Sequence, residues 1–275
     1  MSHLPINNSN SKNLWQANFW LIIRRIFQVA VLGLFLLGPW FGIWFISGNL
    51  SASRILDTIP LTDPLLAVQS FLASGGIMRS ETAWGLVIVV IFYLLVGGRV
   101  FCSWACPLNM VTDLAHWLRD KFQPQWVATL PRSLRFWVLG MVIALSALLG
   151  VIVWEVINPV SIMHREVIFG FGMGWTIILG IFILDLFFSE RAWCSHICPV
   201  GATYSLLGYF SLLRIRSEKE KCDNCGDCYK KCPEPQVIVP AIRGQDIAIL
   251  DSQCTNCGRC IDICPQNVFY FGIRK

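Results

Sequence analysis

C-D-N-C-G-D-C-Y-K-K-C-P, residues 222–233, and C-T-N-C-G-R-C-I-D-I-C-P, residues 254–265, are two copies of one phrase, C-x2-C-x2-C-x3-C-P. Three closely spaced thiolates can wrap three corners of one iron–sulfur cubane, while the fourth, carried onto the following segment, reaches the other cluster. The spacing therefore assigns Cys222, Cys225, Cys228 and Cys264 to one [4Fe-4S] centre, and Cys232, Cys254, Cys257 and Cys260 to a second. Gly226 and Gly258, each directly after the second cysteine of its copy, suit a loop that must bend tightly. Zinc would want C-x2-C pairs separated by a longer linker, and it leaves the third and fourth spacings unexplained.

Outward from this module the chain changes character. Of 275 residues 55% are hydrophobic and only 14% charged, where a soluble domain carries roughly 25% charged residues. The apolar residues crowd before about Leu213, whereas residues 213–275 hold eight of the 12 cysteines. Four apolar runs, at residues 26–48, 84–101, 136–157 and 167–188, are each read as a helix crossing the ~30 Å hydrocarbon layer. Residues 1–19 read as a polar tail, and the first run begins only after Arg24 and Arg25. It lacks the short apolar core and small-residue cleavage site of a secretory signal. The net charge of +5 is spread beside the apolar runs rather than along one basic stripe, which speaks for topology and against a nucleic-acid partner.

With the N-terminus in the cytoplasm, Arg54, Arg79 and Arg165 are the only three of 22 Lys and Arg residues on the far side. The positive-inside rule then puts both termini in the cytoplasm and the chain in the bacterial inner membrane as a multi-pass protein. The expected fold is an α-helical membrane protein, four transmembrane helices as two repeated hairpins over residues 20–212. A C-terminal α+β two-[4Fe-4S] ferredoxin-like domain follows over residues 213–275. Residues 49–83 and 158–166 would be loops on the far side. Trp40, Trp44, Trp84 and Trp154 read as interfacial anchors.

Each hairpin ends in a related phrase, FCSWACPLN at 101–109 and WCSHICPVG at 193–201. Two copies in the same orientation imply a pseudo-two-fold axis along the membrane normal. On a helix, positions i and i+4 share a face, so Cys102 with Cys106 and Cys194 with Cys198 could present four thiolates to an additional redox or metal site. Buried packing thiols or a reversible disulfide are the plainer readings. Histidines fit no haem: His116 and His196 fall at the cytoplasmic ends, His164 in the opposite loop and His3 in the tail, and there is no C-x2-C-H. No dinucleotide or phosphate-binding glycine motif occurs. Glu155 and Asp185 are candidate proton handlers for quinol, or else helix-end residues meeting headgroups or an arginine.

Together with GPWFGIW, DPLLAVQS and WEVINPVS, these motifs resemble the NapH family, ferredoxin-type membrane subunits of the periplasmic nitrate reductase system, over nearly the whole chain beyond the tail. The resemblance implies the electron-transfer component of a quinol dehydrogenase rather than an autonomous enzyme. Quinol would be the donor, a NapG-type ferredoxin subunit and a NapC-type cytochrome the partners, and periplasmic nitrate reductase the downstream acceptor. Related polyferredoxins suggest an alternative, a maturation protein that reduces or repairs a metalloenzyme. With the clusters in the cytoplasm and the family's terminal acceptor in the periplasm, electrons would have to cross the bilayer by quinol, by the C-x3-C-P centre or by a partner.

Overall fold

Residues 12–122, 130–170 and 172–274 are described by a computed structural model; most of the tail expected at 1–19 lies outside them. Helix α1, Phe19–Phe41, runs 23 residues, about 35 Å at 1.5 Å per residue. It starts ahead of Arg24 and Arg25, and buries Arg24, because partners on other elements neutralise that charge. Gly42 ends it in the left-handed region, φ 72°, a conformation glycine adopts without steric cost.

Strands β1 (Ile46–Gly48), β2 (Ala52–Ile55) and β3 (Ile59–Thr62) form an antiparallel sheet, followed by α2, Pro64–Ala73, and α3, Ser80–Val96. A π-helical turn, Phe101–Ala105, leads to α4, Leu108–Phe122. The order then largely repeats as α5 (Leu134–Leu149), α6 (Val153–Ile157), α7 (Pro159–Phe169), α8 (Gly174–Phe187), a second π-helical turn Ala192–Ile197, and α9 (Pro199–Gly208). The C-terminal unit comprises β4 (Leu213–Ser217), α10 (Asp227–Lys231), α11 (Val239–Arg243), α12 (Arg259–Ile263) and β5 (Phe269–Ile273). Its two strands pair antiparallel, Ile215 opposite Phe271.

Two segments expected as loops are ordered. Residues 49–83 contain β2, β3 and α2, and residues 158–166 are mostly α7. The local cause is the same dipeptide logic in both: Asp63 accepts hydrogen bonds from the Leu65 and Leu66 amides, Asn158 accepts one from Val160, and a proline follows each cap. Proline at the first helical position gives up an amide that would have no partner anyway. The run expected at 136–157 is broken by Gly150, in the left-handed region, and the run at 167–188 by Gly170.

Among the described residues one helix, Gln16–Phe41, is long and apolar enough to cross a membrane, while α3, α5 and α8 are apolar but shorter. Their outer faces expose Val87, Ile91, Phe92, Trp137, Met141, Leu148, Leu179 and Phe187, a spread of apolar surface that a soluble monomer rarely leaves open.

Exchanging the two halves preserves many of the packing partners. Helix α2 lies on α3, α5 and α9, while α7 lies on α8, α1 and α4; likewise α4 packs on α8 as α9 packs on α3. The repeat seen in two cysteine phrases therefore extends to the half-length helices begun by Asp63-Pro64 and Asn158-Pro159. The C-terminal unit is attached through the first helix: Asp262, 1% exposed, accepts from the Trp20 and Leu21 amides and pairs with Arg259. A carboxylate there satisfies orphan N–H groups at the positive end of α1.

Candidate metal centres

The two ferredoxin loops share one backbone course. Asn224 and Gly226 in the first, and Asn256 and Gly258 in the second, all have positive φ. Asparagine and glycine are the residues that tolerate this region most readily, so C-D-N-C-G and C-T-N-C-G curl alike. Gly226 has open space around it, whereas a Cβ at Gly258 would stand 2.6 Å from the Trp20 ring.

Six of the eight thiols, those of Cys222, Cys228, Cys232, Cys254, Cys260 and Cys264, lie in or against one apolar core with Ile215, Val237, Ile238, Ile249 and Val268. Burial pushes Cys228 up to about 12, helped by its neighbours Cys264, Cys225 and Cys222. Cys232 is raised by burial and then by Cys257 and Cys254, and Cys260 by burial and then by Cys257, Cys232 and Cys254. A small enclosed cavity is lined by Cys232, Cys254, Cys257 and Cys260 together. Grouped thiols in apolar surroundings resist ionising, and a bound metal is what deprotonates them. Among the described residues no three metal-ligating side chains converge closely enough to hold a single ion. A cubane seats each thiolate on a different iron and so does not require three donors around one ion.

The Cys102/Cys106 and Cys194/Cys198 pairs sit in the π-helical turns rather than on α-helical faces. Cys106 N–H donates to the Phe101 carbonyl and Cys198 N–H to that of Trp193, both at 2.9 Å. The following proline forces each of these cysteines into extended backbone, ψ 118° and 114°, and so stops the turn there. π-Helical turns recur at functional sites. The four thiols are mutual neighbours: burial raises Cys106, then Cys102 and Cys198 add to it, and burial raises Cys194, then Asp185, Cys106, Cys198 and Cys102.

Two carboxylates that the charge pattern passed over organise these elements. Glu234, 2% exposed, meets Arg99 at 2.8 Å, Arg132 at 3.3 Å and Arg135 at 3.6 Å. Burial alone would push Glu234 up, but Arg99 leads the groups that hold it below the usual glutamate range. Asp113 gathers Arg25, Arg191 and, at 3.9 Å, Arg24. Asp185 accepts from the Trp193 amide at 3.1 Å and Glu155 from Asn49 at 2.8 Å, so each candidate proton handler has a structural partner. Asp63, which accepts from the Leu65 and Leu66 amides and is 9% exposed, reads from the sequence simply as a cap, being an Asp before Pro.

Residues 83–125 and 171–219 each match a family model described as a 4Fe-4S binding domain, and residues 214–265 match a 4Fe-4S dicluster domain. The chain is similar to the ferredoxin-type protein NapH of Escherichia coli, 48% identical over 82% of this chain and 79% of that protein. NapH of Haemophilus influenzae is 44% identical over 94% of this chain and 92% of its own length. The methylamine utilization ferredoxin-type protein MauN of Paracoccus denitrificans is 49% identical over 83% and 81%. No solved structure matches.

Proposed function

The chain belongs to the family of ferredoxin-type proteins that includes NapH and MauN, and on that premise we propose that it is a membrane-bound electron carrier fed by quinol. In this reading it is emptied through a NapG-type iron–sulfur partner, with a NapC-type cytochrome alongside, toward periplasmic nitrate reductase. Iron–sulfur electron transfer itself follows from the 4Fe-4S domains. Near-equal identity to a NapH and to a methylamine-utilization protein, both ferredoxin-type, puts more weight on iron–sulfur electron transfer than on any one terminal acceptor.

The observation that carries this reading is the continuity of thiols. Cys102, Cys106, Cys194 and Cys198 neighbour one another, and the loop bearing Cys254 and Cys257 is hydrogen-bonded to the turn bearing Cys102. The neighbour relations among the ferredoxin cysteines favour crossed ligation: Cys222, Cys225, Cys228 and Cys264 for one cluster, Cys232, Cys254, Cys257 and Cys260 for the other. When bound, each [4Fe-4S] cluster takes and gives one electron. The chain's own residues hold these groups in one packed unit and bury five of the 12 cysteines, Cys106, Cys228, Cys257, Cys260 and Cys264. The membrane-side quartet is assigned a further redox or metal centre on the same path.

In intact protein prepared anaerobically and supplied with quinol and a NapG-type partner, the clusters should become reduced. Serine at any one of Cys102, Cys106, Cys194 or Cys198 should slow this about as much as serine at all four, because residues acting as a unit are not additive. Clusters that stay oxidised would favour the maturation role instead. Intact reduction in every single-serine variant would make the quartet packing residues.

The same reading takes α1, α3, α5 and α8 as four membrane spans with both termini in the cytoplasm. The exposed apolar faces of these helices and the bias of Lys and Arg support it, with α2 and α7 as half-helices entering from the far side. A reporter active only in the periplasm, fused after Lys275, should be silent; activity there would reverse the orientation.

A further inference from the structure

The two ferredoxin loops, alike in sequence and backbone, sit in different surroundings. The first is open: Cys225 is exposed, Cys222 is half-buried, and among the described residues the Asn224 side chain bonds Lys219 and its own loop. The second is seated on the first membrane-side cysteine turn. Ser103 Oγ donates to the Thr255 carbonyl at 2.7 Å, Trp104 Nε1 to the Asn256 carbonyl at 3.2 Å, and Asn256 Nδ2 to the Val96 carbonyl at 3.2 Å. Ser103 and Trp104 lie between Cys102 and Cys106, and Thr255 and Asn256 between Cys254 and Cys257.

One side chain joins all the surrounding pieces. Arg99, 2% exposed, donates to Glu234 Oε1 at 2.8 Å, two residues past Cys232. It also donates to the Gln253 carbonyl at 2.9 Å, one residue before Cys254, and to the Cys194 carbonyl at 3.3 Å. Its positive charge also acts on the Cys102 thiol. Its guanidinium is thus shared between the cysteine quartet and the Cys232/Cys254 side of the ferredoxin unit, and among the described residues no buried arginine bonds the Cys222–Cys225 loop in this way. Five donors in a fixed fork can serve three such partners at once; a lysine ammonium on a flexible stem cannot hold them in the same geometry.

We propose that Arg99 is a positioning residue that seats the Cys232, Cys254, Cys257 and Cys260 centre against the membrane-side cysteines, making it the inner centre and the Cys222, Cys225, Cys228 and Cys264 centre the outer one. This rests on the electron-carrier reading above and adds an order to it. Electrons enter the ferredoxin unit on its buried side and leave through the exposed Cys225 loop, one at a time, with no bond made or broken. A buried positive charge beside one centre favours that centre's reduced, more negative state, so the two centres are tuned unequally.

The test is a potentiometric titration of the intact, anaerobically prepared chain, poised with soluble mediators and read by the paramagnetic signal of each reduced centre. Cys222→Ser and Cys254→Ser proteins identify which signal belongs to which centre. Arg99→Gln should lower the potential of the inner centre and leave the outer one where it was, while Arg99→Lys should restore part of the shift by returning the charge. Should Arg99→Gln fail to accumulate, Trp104→Phe removes one loop contact and keeps the charge; it should alter the inner signal alone. Equal displacement of both potentials, or of neither, would overturn the assignment. Because mediators supply the electrons, a chain that quinol cannot reduce would sink the quinol reading and still decide this one.

Discussion

Serine in place of Cys232 is expected to remove the centre that also depends on Cys254, Cys257 and Cys260, and to spare the one that depends on Cys222, although Cys232 and Cys222 belong to the same motif. The reason is geometric. A cubane captures three thiolates from one tight loop, and the proline after the fourth cysteine turns that residue away toward the other cluster. Here Cys232 is extended, ψ 130°, after α10, and its thiol has Cys257 and Cys254 as neighbours, while Cys228 has Cys264. Iron and labile sulfide should each fall from about eight to about four per chain if the ferredoxin unit alone binds clusters, or from about twelve to about eight if the quartet holds a third cubane. Cys222→Ser and Cys232→Ser should lose different paramagnetic signals. Loss of one and the same signal in both variants would mean uncrossed ligation and would sink the assignment.

How far the sequence carried depended on whether a feature is local. The ferredoxin ligands were legible because cubane geometry fixes their spacing within a dozen residues, and the cysteine repeat because both copies keep their proline. Helix boundaries were less legible, since apolarity alone does not register that Gly150 and Gly170 break two of the runs or that Asp63-Pro64 and Asn158-Pro159 start new helices. The docking of the two units was not legible at all. Arg24 and Arg25 read as charges beside a membrane segment, yet they converge with Arg191 on Asp113. Arg99 and Glu234 stand 135 residues apart, a separation at which no periodicity or spacing rule connects them. The signal that could have found them is chemical: an arginine inside an apolar stretch and a glutamate directly after Cys-Pro both need partners, and each is the other's.

Glu234 should therefore be the most costly carboxylate in the chain to remove. Arg99 and Arg135, 2% and 0% exposed, have Glu234 as their ion-pair partner, whereas Arg132 is 38% exposed and can turn to water. Glu234→Ala leaves two buried cations uncompensated at the junction of the ferredoxin unit with α5 and the first cysteine turn. Breaking one partner out of a buried pair typically costs about 3–5 kcal/mol; Arg132→Ala, on the exposed side, should cost about 1 kcal/mol or less. Chemical unfolding of the detergent-solubilised chain would measure both. The acid limb supplies an independent check. Glu234 is held below the ordinary carboxylate range because its arginines outweigh the burial that opposes them, so its folded pKa is depressed. Its contribution is fully present above the unfolded value of about 4.3 and is lost as pH falls through the lower folded value. Glu234→Gln, which cannot titrate, should be less stable than the parent near neutrality, and the gap should close as the pH drops below about 4. Cluster lability in acid affects both proteins alike and cancels in the difference. A gap that stays constant with pH, or a Glu234→Ala chain as stable as the parent, would show that this junction does not depend on the buried charge pair.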